Sequence, residues 1–290
     1  MELPGIGCAR RGSDFLLLIK ARLVLLVLFA TAIGFAIATD RAINGFRMAC
    51  TLIGTGLTAA GSMILNQVVE LHWDRLMTRT RNRPLPAGHI TRAAALSLGS
   101  GMIAGGLAIL ALGTTPLAVG FTTLAIAVYL AGYTPMKRRS PACVPIGAVA
   151  GALPPVIGWA AASDGALQWE TGVLFGVLFA WQIPHLAAIL YIHRDDYAGA
   201  GFALLYSNQR SPAIQAFVFS AMLAAITWIP VSMATTGIVY LIGTIGLNAL
   251  LLVCSGLFLL EPGRSSARRL FAVSMFYLPV FLTLLLLGRK

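Results

Sequence analysis

The sequence contains very little charge. Only 11% of its 290 residues are Asp, Glu, Lys or Arg, against roughly 25% in a typical soluble domain. Hydrophobic residues make up 58% of the chain, and they fall in long runs rather than in an amphipathic period. These two features argue against an ordinary soluble globular protein. Because a backbone inside lipid must satisfy its own hydrogen bonds, the runs predict membrane-spanning helices.

Cysteine is also scarce, and paired cysteine motifs are missing. The 4 cysteines are Cys8, Cys50, Cys143 and Cys254, and no two of them form a CxxC pair. The pattern therefore indicates neither a disulfide framework nor a zinc site. A role as small apolar packing residues explains all of them.

We predict no cleavable targeting segment at the N-terminus. Residues 1–22 carry basic side chains ahead of the first apolar run, and no small-residue cleavage site follows that run. A long presequence rich in Arg and Ser is missing too. We therefore predict a cytoplasmic N-terminal segment at 1–22, in a protein of the bacterial inner membrane rather than a mitochondrial precursor.

Nine apolar runs are each long enough to cross a hydrocarbon core about 30 Å thick. They are predicted at about 23–39, 48–72, 93–113, 116–134, 143–162, 171–193, 212–232, 237–260 and 270–288. Short polar segments connect them, among them SDGALQWE at 163–170 and EPGRSSARR at 261–269. No segment reads as a linker between soluble domains. We predict one all-α integral membrane domain over 1–290, with nine transmembrane helices.

The charge distribution predicts the orientation. Net charge is +11, and most of the 21 basic residues fall at alternate ends of the spans. Such a bias marks the cytoplasmic side and suits the anionic headgroups of a lipid bilayer, so we predict no nucleic-acid partner. The N-terminus is then cytoplasmic, and the C-terminus is outside. The acids Glu70, Asp74, Asp195 and Asp196 lie on the same side. Because charges near membrane depth are costly and usually functional, we predict the site there.

A first cluster of polar residues lies in NQVVELHWDRLMTRTRNRPLPAGHI at 66–90. Asn66, Glu70 and Asp74 are spaced by four residues, so on a helix they form one stripe about 12 Å long. Mg²⁺ prefers oxygen ligands and is commonly held by one or two carboxylates together with substrate phosphates. The stripe therefore predicts a Mg²⁺ and diphosphate site. The alternative is a solvated helix end that is paired with neighbouring arginines.

A basic run follows the stripe at once. It consists of Arg75, Arg79, Arg81 and Arg83, and we expect Pro84 and Pro86 to end the helix after it. Guanidinium groups bind phosphate through two parallel hydrogen bonds, so we predict that these arginines hold the diphosphate. Positive-inside topology is the alternative explanation for each of them.

A second cluster lies in WQIPHLAAILYIHRDDYAGAG at 181–201. Asp195 and Asp196 end the predicted sixth span, Arg194 is beside them, and Tyr191 lies one turn back. His185 follows Pro184, which can kink the span. A lone histidine inside a membrane is more often a hydrogen-bonded structural residue than a ligand, so both roles stay open for His185.

A third segment reads YTPMKRRSPACVPIGAVAGALPPVIGWAA at 133–161. Tyr133, Lys137 and Arg138 lie at the end of the fourth span, where they can reach a phosphate. The Gly147, Gly151 and Gly158 series with Pro154 and Pro155 predicts close helix packing and a broken span. An irregular backbone at that depth is tolerated only against protein or a cavity.

These segments resemble a known family. The stripe followed by MTRTRNRPLP, then YTPMKRRSP, GALPPVIGWAA and WQIPH…DDYAGAG, is similar to the heme O synthases (protoheme IX farnesyltransferases) of the UbiA superfamily of membrane prenyltransferases. The resemblance covers about residues 20–290. RTRNRPLP points to the superfamily, and the WQIPH…DDYAGAG block points to the heme branch.

The resemblance implies a single nine-helix bundle around a central cavity that is accessible from the lipid. It implies Mg²⁺-dependent ionisation of farnesyl diphosphate and transfer of the farnesyl group, with addition of water, to a vinyl group of heme B. Matched by position, Asn66, Glu70 and Asp74 are the first acidic motif, and Asp195 and Asp196 end the second. These five are the expected catalytic and metal-binding residues.

Further roles follow from the same match. Lys20 and Arg22 correspond to a basic pair at the start of the first helix, and with Arg194 they join the expected diphosphate-binding residues. We also expect contacts with the prenyl group or the acceptor from His185, Tyr133, Tyr191 and Trp181. An alternative explanation for the Trp and Tyr residues is a position at the membrane–water interface, where both residue types are common.

The chain also departs from the superfamily pattern. Glu70 stands where Asp is usual. In the second motif His185 and Ile192 replace acids, so a second Mg²⁺ held wholly by protein is in doubt. His185 is expected in the heme branch.

Three alternatives remain open at this stage. One is transfer to another acceptor, such as a quinone precursor, a chlorophyllide or a lipid. The second is a transporter, although transporters place their charges near the midplane with repeat symmetry. The third is a heme-binding or assembly protein without catalysis. The expected partners are farnesyl diphosphate, heme B, the bilayer, and either a downstream heme A synthase or a second copy of the chain.

Overall fold

The structure is a computed structural model, and it describes residues 12–39, 43–137, 139–140, 142–199 and 210–289. Two of the residues singled out above, Cys8 and Arg138, lie outside the described residues. A short helical stretch at 12–18 precedes the first spanning helix.

Nine helices of the described chain are long and apolar enough to cross a membrane. They are α1 (Ala21–Ala38), α2 (Gly45–Asp74), α3 (Arg92–Gly113), α4 (Pro116–Met136), α5 (Cys143–Ala162), α6 (Trp169–Ile192), α8 (Arg210–Ser232), α9 (Ile238–Leu260) and α10 (Arg264–Leu287). A short helix, α7 (Arg194–Gly199), follows α6. The predicted all-α membrane architecture is therefore confirmed for the described part of the chain.

The bundle has inner and outer helices. In α5, 72% of the central apolar stretch is buried, and in α6 61% is buried. The same fraction is only 22% in α3 and 17% in α4, whose apolar side chains face outward. Leu112, for example, is 89% exposed, which is expected of a leucine that faces lipid. Helices α5 and α6 therefore form the core, and the other spans surround them.

Helices α1 and α5 cross at very close range because glycines lie at the contact. A Cβ atom on Gly34 of α1 would collide with the backbone of Pro155, and one on Gly158 would collide with the backbone of Thr31. Small residues at such crossings let two backbones approach in lipid, where close packing must replace the hydrophobic effect. The crossing places the second half of α1 directly against the inner helix α5.

Helix α5 is continuous, so the predicted broken span is wrong. Pro154 and Pro155 both lie inside the helix Cys143–Ala162 and are buried. A proline fixes φ near −65°, which is compatible with a helix, but it removes one backbone hydrogen bond and its ring crowds the carbonyl one turn earlier. Neighbouring helices commonly compensate for that loss in membranes.

Two helix boundaries also differ from the prediction. Helix α2 ends at Asp74 and not at the prolines, because the Thr80 hydroxyl turns back and donates to the Asp74 carbonyl at 2.7 Å. The arginine run therefore lies in turns. Helix α10 begins at Arg264, inside the segment predicted as a loop. Its first turn is held by the Gly263 amide, which donates to the Ser266 hydroxyl at 3.1 Å.

Candidate active site

Asn66, Glu70 and Asp74 lie on the inner side of α2. They are 1%, 5% and 1% exposed, respectively, on a helix that is otherwise mostly apolar. Their spacing by four residues places them along one face. Buried polar groups of this kind are expensive unless they are paired. The chain satisfies them with cations from three other segments.

Each member of the stripe is bonded to a different cation. The Lys20 Nζ atom, just before α1, donates to Asn66 Oδ1 at 3.3 Å. The Lys137 Nζ atom, just after α4, lies 3.0 Å from Glu70 Oε1 and 3.3 Å from Oε2.

The third cation is Arg83, from the turns after α2. Its Nη1 atom donates to Asp74 Oδ2 at 2.9 Å. We call the six residues Lys20, Asn66, Glu70, Asp74, Arg83 and Lys137 the polar cluster.

The polar cluster is electrostatically crowded. Burial, together with the positive charges of Arg83 and Lys137, lowers the pKa of Lys20 to about 8. Glu70 and Asp74 act in the opposite direction. Three cations near two carboxylates leave a net positive field, which favours an additional anion. A diphosphate has the charge that this field attracts.

A π-helical turn at Val128–Tyr133 shapes the end of α4. In it the Thr134 amide donates to the Tyr129 carbonyl, five residues back. Such turns are rare and frequently occur at functional sites. Directly after the turn, the Thr134 hydroxyl accepts a hydrogen bond from Asn66 Nδ2 at 3.2 Å. The Tyr129 and Tyr133 rings stack with centroids 5.7 Å apart.

Three members of the polar cluster form one end of a cavity of about 380 Å³, and Glu70, Asp74 and Arg83 lie behind this lining. The volume is within the range of roughly 300–1,000 Å³ that is usual for small-molecule sites. Lys20, Asn66 and Lys137 line the cavity beside Tyr129 and Tyr133. The rest of the wall is mainly apolar, and includes Leu26, Val27, Ile126, Leu178 and Ile183. A polar end and an apolar body suit an amphipathic ligand with an anionic head.

The second acidic pair does not join this cluster in the structure. Asp195 and Asp196 lie in the first turn of α7, beyond the end of α6. The Asp195 side chain is 73% exposed and pairs with Arg264. Arg194 Nε lies 3.6 Å from Asp195 Oδ1. Within the described residues, no three His, Cys, Asp or Glu side chains group as a metal site.

Several other predicted diphosphate contacts lie away from the cavity. Arg22 and Arg81 are exposed. The Nε atom of Arg75 donates to the Pro86 carbonyl at 3.4 Å, and Arg79 Nη2 donates to the Tyr197 hydroxyl at 3.3 Å. Arg75 and Arg79 therefore make contacts within the turns after α2 and with α7.

Only some of the predicted aromatic contacts line the cavity. Tyr133 and Trp181 line the cavity. Tyr191 is not among the cavity-lining residues, and its hydroxyl donates to the Pro262 carbonyl at 2.9 Å. That bond ties α6 to the turn before α10.

His185 lies on α6 in the wall of the cavity. Its Nδ1 atom is 2.8 Å from the Ser274 hydroxyl on α10. The ring stacks with the rings of Trp181 and Phe271, whose centroids lie 4.9 Å and 5.1 Å away. The histidine is thus held in a single orientation.

Four residues of this site were not predicted from the sequence. Tyr129 and Thr134 flank Tyr133, and their closeness to it in the sequence was a usable signal. Gln182 lines the cavity and donates to the Leu178 carbonyl at 2.9 Å. Ser274 lies in an ordinary apolar span, and nothing in its local sequence points to His185.

The sequence profile of the UbiA prenyltransferase family matches residues 27–281. This chain belongs to the UbiA prenyltransferase family. The resemblance stated from the motifs is therefore confirmed, and the chain is a multi-pass membrane member of a family of prenyltransferases.

Several curated relatives of this UbiA-family chain are named protoheme IX farnesyltransferase. The chain is 37% identical over 288 residues to the protoheme IX farnesyltransferase of Solibacter usitatus, covering 95% of this chain and 98% of that protein. It is 36% identical over 296 residues to the mitochondrial protoheme IX farnesyltransferase of Homo sapiens, covering 100% of this chain and 63% of that protein.

Solved UbiA-type structures share the fold. A digeranylgeranylglyceryl phosphate synthase superposes with a TM-score of 0.80 at 17% identity, over 96% of this chain and 98% of that one. A UbiA homolog from Archaeoglobus fulgidus bound to GPP and Mg²⁺ superposes with a TM-score of 0.64 at 16% identity, over 93% and 99%. The nine-helix arrangement is that of the family.

Proposed function

We propose that this protein transfers the farnesyl group of farnesyl diphosphate to a vinyl group of heme B and so makes heme O. The observation that carries the proposal is the full-length similarity to relatives named protoheme IX farnesyltransferase. The polar cluster at the end of an apolar cavity supports it, because that arrangement fits the head and tail of a prenyl diphosphate.

In this proposal the three cations of the polar cluster bind the diphosphate. Lys20, Lys137 and Arg83 are now bonded to Asn66, Glu70 and Asp74. Diphosphate oxygens would take over these cations as the substrate binds. The oxygens of the stripe are then free to hold a divalent ion.

The donor set fits Mg²⁺, since two carboxylates and an amide oxygen are hard ligands of the kind that it prefers. Asn66, Glu70 and Asp74 would provide the ligands, with neighbouring members of the stripe sharing an ion. Mg²⁺–O distances of about 2 Å are too short for one ion to bind both ends of a stripe about 12 Å long. When bound, Mg²⁺ supplies Lewis-acid neutralisation of the charge that develops on the departing diphosphate. Asp195 would first have to leave Arg194 and Arg264, and Asp196 forms no hydrogen bond or ion pair with the polar cluster among the described residues. We therefore assign them a lesser role.

The reaction breaks the C–O bond between farnesyl and diphosphate and forms a C–C bond to the terminal vinyl carbon. A water adds its oxygen to the other vinyl carbon and releases one proton. Lys20, Lys137 and Arg83 stabilise the leaving group, as preorganised cations do. The stacked Tyr129 and Tyr133 rings lie where their faces can stabilise a developing allylic cation.

The apolar wall delays attack by water until the acceptor is in place.

We place the protein in a bacterial inner membrane with the polar cluster at the cytoplasmic end. The basic residues near that end support this orientation. The product is large, apolar and poorly soluble in water. Direct transfer to a downstream heme A synthase, or activity as a pair of copies, would suit such a product, and co-purification of tagged partners would test both.

The test of the proposed function is expression in a strain that lacks heme O, followed by mass spectrometry of the extracted hemes. We expect the wild-type chain to produce heme O. Asp74→Asn should lower its yield by at least about 100-fold, because a buried carboxylate of the site loses its charge. The matched control is Asp164→Asn, an exposed aspartate paired with Arg47, which should leave the yield unchanged.

Prenylation of a quinone precursor instead of heme by the wild-type chain would contradict the proposed acceptor. Undiminished heme O production by Asp74→Asn would contradict the role of the polar cluster.

A further inference from the structure

We propose that His185 Nε2 is an axial ligand of the iron of the heme acceptor, and that Ser274 sets the tautomer that allows it. This inference rests on the proposed function, because it takes heme B as the acceptor. It assigns His185 a direct bond to the substrate, in place of a general contact.

The Ser274 hydroxyl has a single proton, which can go to only one of its two neighbours. The Oγ atom of Ser274 lies 2.8 Å from the Phe271 carbonyl and 2.8 Å from His185 Nδ1. A carbonyl oxygen can only accept, so the hydroxyl proton goes to Phe271. The Ser274 oxygen is then left to accept a proton from Nδ1. We therefore assign the proton of His185 to Nδ1 and the free lone pair to Nε2.

The Nε2 atom has no competing partner in the described part of the chain. His185 forms its hydrogen bond through Nδ1. The Nε2 atom is not fully buried, since the fully buried side-chain atoms without a partner do not include it. The residue is half-buried and lines the cavity. An unprotonated imidazole nitrogen at a cavity wall is the usual form of a metal-ligating histidine.

The ring is also fixed in direction. Trp181 and Phe271 stack with it at centroid distances of 4.9 Å and 5.1 Å. The Trp181 Nε1 atom donates to the Ser274 carbonyl at 2.6 Å, so the same serine holds both the histidine and the ring beside it. A second hydrogen bond at the non-ligating nitrogen raises ligand basicity and is the common support of histidine ligands to metals.

Iron ligation would give the acceptor a fixed position. The cavity is lined by His185 and also by Lys20 and Asn66 of the polar cluster. A porphyrin held by its iron at His185 keeps a vinyl group at a constant distance from the diphosphate end. Because an imidazole is a common axial ligand of heme iron, the chemistry needs nothing beyond the residues present.

The experiment compares ferric heme B with iron-free protoporphyrin IX, bound to the full-length protein in detergent or nanodiscs. Absorption and magnetic circular dichroism report the axial ligand, and titration reports the affinity. We expect a histidine-ligated spectrum for the wild type. His185→Ala should lose that spectrum and bind heme at least about 10-fold more weakly. Its affinity for protoporphyrin IX should be unchanged.

Two further variants separate ligation from packing. His185→Gly should regain the histidine-type spectrum when free imidazole is added. Ser274→Ala should weaken heme binding by about 10-fold, and Ser274→Thr, which keeps a hydroxyl, should restore it. The control is His72→Ala, an exposed histidine of α2 that does not line the cavity and should leave the spectrum unaltered.

A histidine-ligated spectrum that persists in His185→Ala would overturn the inference, even with heme O production intact. Equal weakening of heme and protoporphyrin IX would overturn it too, since that result indicates packing. If the wild type binds no heme and makes no heme O, the proposed function itself fails and the inference with it.

Discussion

Lys137 and Glu70 form an ion pair whose side chains are only 15% and 6% exposed. At such depth the loss of one partner leaves the other charge uncompensated. Lys137→Met should therefore lower the free energy of unfolding by about 3 kcal/mol. The double variant Lys137→Met with Glu70→Gln should recover most of that loss, because neither charge remains. Thermal unfolding of the purified proteins in detergent measures both.

The double variant of Lys137 and Glu70 also separates an effect on stability from an effect on catalysis. If the polar cluster binds the diphosphate, the double variant should be stable but still make little heme O. Equal stability of the single and double variants would show that the two side chains do not depend on each other.

A shorter side chain at position 70 tests whether the position of the carboxylate matters. Glu70→Asp shortens the side chain by one methylene and restores the residue that is usual in the superfamily. The carboxylate then moves away from Lys137 Nζ, which lies 3.0 Å from Oε1. We expect about a 10-fold loss of heme O formation and a larger loss for Glu70→Gln, measured by the rate of product formation over a range of Mg²⁺ concentrations. A Glu70→Gln variant as active as Glu70→Asp would contradict a role for the charge.

At the scale of the helices, the crossing of α1 and α5 depends on the absence of side chains. Gly34→Ala would place a methyl group against the Pro155 backbone, which cannot yield as a side chain can. We expect a loss of about 1–3 kcal/mol in unfolding free energy, the usual cost of overpacking. The thermal stability of the detergent-purified protein measures it.

The matched control for this crossing is Gly105→Ala on α3. No atom lies within 4 Å of a Cβ built there, and alanine favours a helix more than glycine does. This variant should be as stable as the wild type or slightly more so. A similar loss at both glycines would mean that helix propensity, and not the crossing, sets the cost.

Helix boundaries show where local sequence was sufficient and where it was not. The nine apolar runs were found because about 20 apolar residues are needed to cross lipid, which is a strong local signal. The end of α2 at Asp74 was missed because the Thr80 hydroxyl takes over the last carbonyl. The continuity of α5 through Pro154 and Pro155 was missed because neighbouring helices, not the local sequence, decide whether a proline breaks a span.

For the whole molecule, the orientation can be tested directly. Nine spans place the two ends of the chain on opposite sides of the membrane, and the basic residues place the N-terminus in the cytoplasm. In intact spheroplasts an N-terminal tag should resist added protease, and a C-terminal tag should be cleaved. Lysed spheroplasts, in which both tags are accessible, provide the control. Cleavage of both tags in intact cells would contradict an odd number of spans.

The sequence by itself determined the membrane class, the number of spans, the family and the Asn66, Glu70 and Asp74 stripe. These depend on residue type and on spacing along one helix, both of which can be read locally. Tertiary structure decided which cations meet the stripe, since Lys20 and Lys137 come from other helices. It also decided that Asp195 faces away, and that Ser274 supports His185 from 89 residues further along the chain. Such contacts join distant segments, and only the packing of the helices brings them together.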